Sequence, residues 1–222
     1  MSNADERLFD PALLFRLRLR PVQTALKFGD RNWQLPDDAI IPALGKELSG
    51  QTEFAELRIA VGENALFLET TVSGKRQLPW CRESRIEDSD GLHVWIDTRN
   101  SRDVHRATRY CHRFVFCPMG RGPRSEQPFG GWAPINRARE NSNPPPEKLI
   151  FAQSKLTTGG YTLWAALHWQ ALTGLDRNDF PVIGFYATVM DRERGRQSIG
   201  LGGELPADED PSLWSELALV PD

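Results

Sequence analysis

One short segment of the sequence, residues 90–97, carries the side chains best suited to binding chemistry. It reads Asp-Gly-Leu-His-Val-Trp-Ile-Asp, an alternation of period two that predicts a β-strand. His93, Trp95 and Asp97 should share one face, while the aliphatic residues between them face a core. An imidazole, an indole and a carboxylate in one row could hold a flat, polar ligand. The alternative is an ordinary solvated sheet surface.

Three other side chains are candidates for the same site. Arg113 is predicted on the next strand, where its guanidinium could donate to hydroxyl groups or pair with an acid on a neighbouring strand. The sequence has seven tryptophans, and a surplus of indoles is typical of stacking surfaces. Trp80 precedes the central strand. Trp132 lies in a loop-like segment, where it could close over a ligand or pin its own loop to the body.

A run of arginines surrounds Arg113 in the sequence. Arg102, Arg106 and Arg109 precede it, and two histidines lie among them. Such a cluster could bind an acidic glycan or a phosphate. The alternative is a solvated turn whose charge is balanced by nearby acids.

Metal and catalytic signals are weak. No zinc-like pairing of His and Cys is present, and the sequence lacks a nucleophile elbow, a phosphate-binding loop and a dinucleotide fingerprint. We therefore predict no cofactor and no enzyme activity, with two alternatives left open. Oxygen ligands for calcium could come from Asp88, Asp90, Asp97, Asn100 and Asp103. Carboxylates for glycoside hydrolysis could come from Glu69, Asp90 and Asp97.

Length and composition favour one large all-β domain over residues 1–222, with its core over about 10–220. Charged residues make up 26% and hydrophobic residues 40%, which are ordinary globular values. The net charge of −3 gives no basis for nucleic-acid binding. No apolar run is long enough to span a membrane, and the first residues do not resemble a signal peptide. These features favour a cytoplasmic location, and Cys81, Cys111 and Cys117 are expected to be free thiols.

The remaining periodicity is also mostly two, which predicts an antiparallel β-sandwich with a jelly-roll-like arrangement. The clearest prediction is a hairpin of 54–61 with 65–73. A short helical turn is expected at 169–173, closed by Gly174. Further strands are predicted at 15–20, 90–98, 110–117, 148–156, 161–168, 182–191, 197–201 and 214–220. The Gly-, Pro- and Arg-rich segment 119–147 is predicted to be a long loop insertion, either mobile or functional.

The order of these pieces resembles the family 9 carbohydrate-binding modules and the wider DOMON-like sandwich group. The resemblance covers most of residues 35–220. It rests on the hairpin Leu57–Leu68, the strand 90–97 with its Asp-led start, the arginine-bearing His112–Phe116, the strand and turn Gly160–Leu172, and the closing segments Ile183–Asp191 and Asp210–Leu219.

The resemblance implies a β-sandwich that binds sugars without chemistry, often with structural calcium. A pyranose is typically held between tryptophans while polar side chains bond its hydroxyls. On this sequence, Arg113 falls at the family's hydroxyl-binding arginine, Trp80 lies several residues before an expected stacking tryptophan, and His93 stands where many members have glutamate. No tryptophan occurs near Ile199, where another is usual. We therefore expect glycan capture by Trp stacking and Arg/His hydrogen bonds; a protein-interaction module using the acidic residues 208–210 and a glycoside-processing enzyme are the alternatives.

Overall fold

The computed structural model describes residues 17–42, 52–199 and 205–220, and these form two β-sheets packed face to face. Within these ranges the strands are β1 (Arg18–Leu19), β2 (Val22–Gln23), β3 (Ala55–Val61), β4 (Ala65–Ser73), β5 (Gly91–Asp97), β6 (Cys111–Arg121), β7 (Gln127–Trp132), β8 (Ile150–Thr157), β9 (Gly160–His168), β10 (Val182–Asp191), β11 (Gly195–Ser198) and β12 (Ser215–Ala218). Short 3₁₀ turns cover Asp37–Ala39, Glu83–Asp88, Glu147–Leu149, Trp169–Ala171 and Pro211–Leu213.

The larger sheet has the strand order β1-β12-β10-β5-β6-β7, with β11 added beside β10. The smaller sheet has the order β2-β3-β4-β9-β8. Most neighbouring strands are antiparallel, as predicted, but β1 runs parallel to β12 and β2 runs parallel to β3. Both sheets are therefore mixed, and the β-sandwich prediction is confirmed with this refinement. No helix in the described ranges has the length and apolar character needed to cross a bilayer.

The local predictions around the central strands are also confirmed. The hairpin of β3 and β4 turns at Gly62–Asn64, and its inward side chains meet those of β5 in one core. Leu92, Val94 and Ile96 are fully buried in that core, as the alternation predicts. The helical turn at Trp169–Ala171 is present, and Gly174 follows it with a φ of +82°. The part of the first predicted strand before residue 17 lies outside the described residues.

The prediction of an uninterrupted loop over 119–147 is wrong, because β7 lies inside it and pairs with β6. Gly130 and Gly131 suggested a turn, but they serve close packing instead. A Cβ added at Gly130 would lie 2.7 Å from Phe116, and one added at Gly131 would lie 2.7 Å from Ile86. Pro128 is tolerated because β7 is an edge strand, where a missing N–H removes no ladder bond on the open side.

Candidate functional site

The structure brings His93, Trp95 and Arg113 together on the outer face of the larger sheet. Trp95 lies opposite Arg113 of β6 on one side and opposite Tyr186 of β10 on the other. The Arg113 guanidinium lies 5.0 Å from the Trp95 ring centroid, and the His93 ring stacks on Trp95 at 6.1 Å between centroids. The predicted alternation of β5 thus places these three groups in one contiguous cluster.

This cluster is covered, whereas the sequence suggested an outer surface free to dock a ligand. His93, Trp95 and Asp97 are only 1%, 2% and 1% exposed. The chain segments before β5, after β7 and before β12 fold over the sheet face. Ile135 and Ala207 from two of these segments belong to the same apolar cluster as Trp95. The indole is buried because it supplies apolar area to this second layer, which sequence periodicity alone does not reveal.

His93 is held as a neutral imidazole. Its Nε2 lies 2.9 Å from the Ser89 carbonyl oxygen and therefore carries the proton, while Nδ1 accepts from Arg113 Nη2 at 3.2 Å. Burial, and next the nearby Arg113 charge, lower the pKa of His93 from 6.5 to about 3. Within this cluster His93 therefore acts as a connector between β6 and the segment that precedes β5.

Arg113 joins the covering segments to the sheet. It donates through Nη2 to the Glu87 carbonyl oxygen at 3.2 Å and through Nη1 to the Pro134 carbonyl oxygen at 3.3 Å. Desolvation lowers the pKa of its guanidinium, which nevertheless keeps its charge. The predicted alternative was an ion pair with an acid on a neighbouring strand. Among the described residues, Arg113 instead hydrogen-bonds two carbonyl oxygens and His93.

Trp80 occupies a different position, in the segment that leads into β5. Its backbone N–H donates to Asp90 Oδ2 at 2.8 Å, and the Asp90 N–H donates back to the Trp80 carbonyl at 2.8 Å. His93 lies three residues further along β5, or roughly 10 Å. Trp80 therefore belongs to a separate site at the start of β5, where its contacts are with Asp90 and three arginines.

The half-buried Trp80 ring lines an open groove of about 750 Å³. Residues 79–84 form one wall, and Gly120 near the end of β6 and Ser125 in the turn between β6 and β7 form the other. Ser89 holds the 82–85 segment in place, because its hydroxyl donates to the Arg85 carbonyl oxygen at 2.9 Å. An indole beside hydroxyl and backbone groups in an open groove can stack on the apolar face of a pyranose and bond its hydroxyl edge.

Three guanidinium groups surround the Trp80 ring. Arg192 lies 3.3 Å from the ring centroid, Arg82 lies 5.4 Å from it and Arg85 lies 5.9 Å from it. Arg192 reaches this position because its backbone N–H donates to the second oxygen of Asp90, at 3.0 Å. Asp90 thus fixes both the indole and its closest cation, and burial raises the pKa of this carboxyl group.

Sequence reasoning missed Arg82 and Arg192 as members of this site. Arg82 is two residues from Trp80, which is a signal that could have been noticed. Arg192 lies in the turn between β10 and β11, more than a hundred residues away in the sequence. Only the pairing of β10 with β5 brings it to Trp80, so no local pattern could have identified it.

Trp132 does not join either site. It lies opposite Phe114, whose side chain faces the core, so Trp132 points to the inner face at the sheet edge. Its indole N–H donates to Ser142 Oγ at 3.0 Å. This geometry agrees with the predicted alternative in which the indole pins its own loop to the body.

The arginine run does not form one cationic patch. Arg102 pairs with Glu216, Arg106 donates to the Arg137 carbonyl at 3.0 Å, and Arg109 lies over the Tyr110 ring. The acidic residues 208–210 are similarly engaged. Their partners are Arg196 for Asp208 at 3.8 Å, Arg137 for Glu209 at 3.5 Å and His105 for Asp210 at 3.1 Å.

The carboxylates considered for hydrolysis are far apart. Asp90 and Asp97 lie at opposite ends of β5, roughly 23 Å from each other at the usual rise per residue, and Glu69 belongs to the other sheet. Paired carboxylates in glycoside hydrolysis need a separation of about 5–9.5 Å. Asp97 instead accepts from the Arg99 and Ser101 backbone N–H groups, and burial raises its pKa. The proposed pairing of these three residues is wrong.

The same separation bears on calcium. Asp90 and Asp97 cannot share one ion across β5, and Asp88 pairs with Arg85. Within the described residues, no three His, Cys, Asp or Glu side chains converge in a way that could hold a metal. The five oxygen donors suggested by the sequence therefore do not form one coordination shell.

Comparisons with known proteins find solved structures that are similar to this chain. A family 9 carbohydrate-binding module from Caldicellulosiruptor kristjanssonii, solved with cellotriose, is 16% identical with a TM-score of 0.59, over 91% of this chain and 93% of that one. The same kind of module from that organism, solved with glucose, is 14% identical with a TM-score of 0.61, over 91% and 95%. A protein from Bacteroides uniformis ATCC 8492, provisionally named as carbohydrate-binding, is 10% identical with a TM-score of 0.60, over 92% and 99%.

These likenesses show that the chain has the sandwich fold of family 9 carbohydrate-binding modules along nearly its whole length, as the sequence resemblance predicted. No family model matches the sequence. No curated protein matches it either. The solved structures support the resemblance to the family 9 fold. They do not test the DOMON-like grouping, which stays a prediction.

Proposed function

We propose that this protein is a non-catalytic carbohydrate-binding domain that captures a glycan in the Trp80 groove. The observation that carries the proposal is a half-buried indole lining an open groove on a fold shared with proteins solved with cellotriose and glucose. A pyranose stacks its apolar face on the indole. Ser84, Ser125 and the backbone at Gly120 supply hydrogen-bond partners for its hydroxyl edge.

In this proposal His93, Trp95 and Arg113 hold the segment that carries Trp80 in place. His93 and Trp95 are too buried to contact a sugar, and Arg113 is half-buried. His93 bonds the Ser89 carbonyl and Arg113 bonds the Glu87 carbonyl, both in the segment that carries Trp80. Holding that segment rigid reduces the conformational entropy lost on binding. This role replaces the direct Arg/His contact that the sequence suggested, and Trp132 takes no part in it.

The alternatives have less support. An interaction module based on residues 208–210 would need free acidic groups, but each of the three has a basic partner within the chain. A glycoside-processing enzyme would need paired carboxylates, and the candidates lie too far apart. A cytoplasmic location stays a prediction, and nothing in the comparisons supports it.

Trp80→Ala is the direct test. We expect isothermal titration calorimetry to detect wild-type binding of a gluco-oligosaccharide and to show about tenfold weaker association for the variant, if the lost stacking contact is worth about 1.5 kcal/mol, as for a pair of aromatic rings. Trp169→Ala is the matched control, since Trp169 is also half-buried and lies 5.1 Å from an arginine but is far from the groove. Equal losses in both variants, or wild-type binding that survives in Trp80→Ala, would argue against the groove.

A further inference from the structure

Two arginine side chains beside the Trp80 groove have no acidic partner among the described residues. Arg82 and Arg192 both lie within 6 Å of the Trp80 ring centroid, and neither makes an ion pair with any described residue. Arg85 differs, because Asp88 pairs with it. Glu83, which also lines the groove, pairs with Arg121, a guanidinium that it shares with Glu147. Two guanidinium groups with no ion-pair partner among the described residues therefore border the indole.

The buried Asp90 carboxylate beside the indole bonds backbone N–H groups and makes no ion pair with Arg82 or Arg192. Both Asp90 oxygens accept backbone N–H groups, from Trp80 and from Arg192. Burial raises the pKa of the Asp90 carboxyl group, and Lys75 is among the charges that act on it. Bringing the guanidiniums of Arg82 and Arg192 close to one ring costs mutual repulsion, which an anion in the groove would relieve.

We propose that the groove selects an anionic sugar, one in which a carboxylate or sulfate is attached to the pyranose ring. This inference rests on the proposed function and names the class of glycan. The pyranose stacks on Trp80 while its acidic group bonds Arg82, which lines the groove, and Arg192 behind the ring strengthens the attraction. A planar guanidinium matches a carboxylate in a two-point contact, so a uronic acid is the favoured form.

Calorimetry with matched ligands tests the proposal. Glucose, glucuronate and glucose 6-sulfate have the same pyranose ring and differ only in the group at C6. Trisaccharides that carry the same C6 groups provide a second matched set. We expect glucuronate to bind about tenfold more tightly than glucose at low ionic strength, with the advantage shrinking at physiological salt. Arg82→Gln and Arg192→Gln should each remove most of that advantage. Arg139→Gln, at an exposed arginine outside the groove, is the matched control.

The outcomes separate the two proposals. Equal affinity for glucose and glucuronate, with Trp80 still required, would overturn the anionic preference and leave the sugar-binding function standing. A preference for glucuronate that persists in both arginine variants would also overturn it, because the cations responsible would lie elsewhere. Tighter binding of the 6-sulfate than of glucuronate would retain the anionic class and overturn the carboxylate as its favoured member. Failure of every sugar to bind would remove the function and the inference together.

Discussion

At the scale of single residues, the polar and aromatic groups predicted on β5 lie together but make contacts inside the protein instead of facing a ligand. His93 lies where a sugar-binding site would need a polar group, yet it connects Arg113 to the Ser89 carbonyl under a layer of chain. A buried neutral imidazole with both nitrogens bonded is a structural element. Its environment leaves a measurable signature in the response of stability to pH.

We expect the free energy of unfolding to fall as the pH is lowered below 6.5. The pKa of His93 is about 3 in the folded protein and ordinary in the unfolded chain, so only the unfolded chain binds the proton between these values. The slope from His93 approaches about 1.4 kcal/mol per pH unit. His112, whose pKa burial lowers to about 4, adds a second contribution.

Urea denaturation of wild type and His93→Gln across this pH range measures the effect. The difference between the two cancels the opposing contribution of the buried carboxyl groups, whose pKa values are raised. The free energy of unfolding of the variant should change less steeply with pH than that of wild type. Parallel curves for wild type and His93→Gln would contradict the buried, neutral assignment.

At the scale of elements, the turn between β8 and β9 shows how glycine sets strand spacing. Gly159 and Gly160 are adjacent in the sequence but differ in surroundings. A Cβ at Gly160 would lie 1.8 Å from the Val72 carbonyl oxygen of β4, whereas a Cβ at Gly159 would meet nothing within 4 Å. β9 can therefore approach β4 only because Gly160 has no side chain.

Gly160→Ala is predicted to destabilise the protein by more than about 2 kcal/mol, because backbone atoms of β4 must move. Gly159→Ala should change stability by less than about 1 kcal/mol. Thermal and urea unfolding of the two variants provide a direct comparison within one turn. Similar stabilities for both would show that the pairing of β4 with β9 is looser than described.

At the scale of the whole molecule, a buried ion pair joins the two sheets. Lys75 follows β4 of the smaller sheet, and its ammonium group pairs with Asp191 at the end of β10 of the larger sheet. Asp191 also accepts from the Glu193 and Arg194 backbone N–H groups, at 3.0 and 2.9 Å. The pair thus connects both sheets to the turn that supplies Arg192.

Lys75→Met should lower the free energy of unfolding by about 3–5 kcal/mol, because it leaves the Asp191 charge buried without its counterion. Lys155→Met, at an exposed lysine of β8, is the control and should have little effect. Adding Asp191→Asn to Lys75→Met should recover part of the loss. If Lys75→Met unfolds like wild type, the pair contributes no net stability and other contacts hold the two sheets together.

The sequence by itself determined the sandwich, most of its strands and which side chains share each face, because alternation is a local property of the extended backbone. The turn at 62–64 and the core-facing row Leu92, Val94 and Ile96 of β5 were both predicted in this way. A single domain over residues 1–222 stays a prediction. β7 was missed because its glycines and proline have the composition of a loop, and only its position beside β6 makes it a strand.

The tertiary structure alone decided where a ligand could reach. It covered the His93 row with segments distant in the sequence, and it brought Arg192 from the β10–β11 turn to Trp80. Burial and charge compensation depend on which distant segments pack together, and the spacing of residues along the chain does not encode that contact. For this reason the candidate site moved from the middle of β5 to the groove beside its first residue.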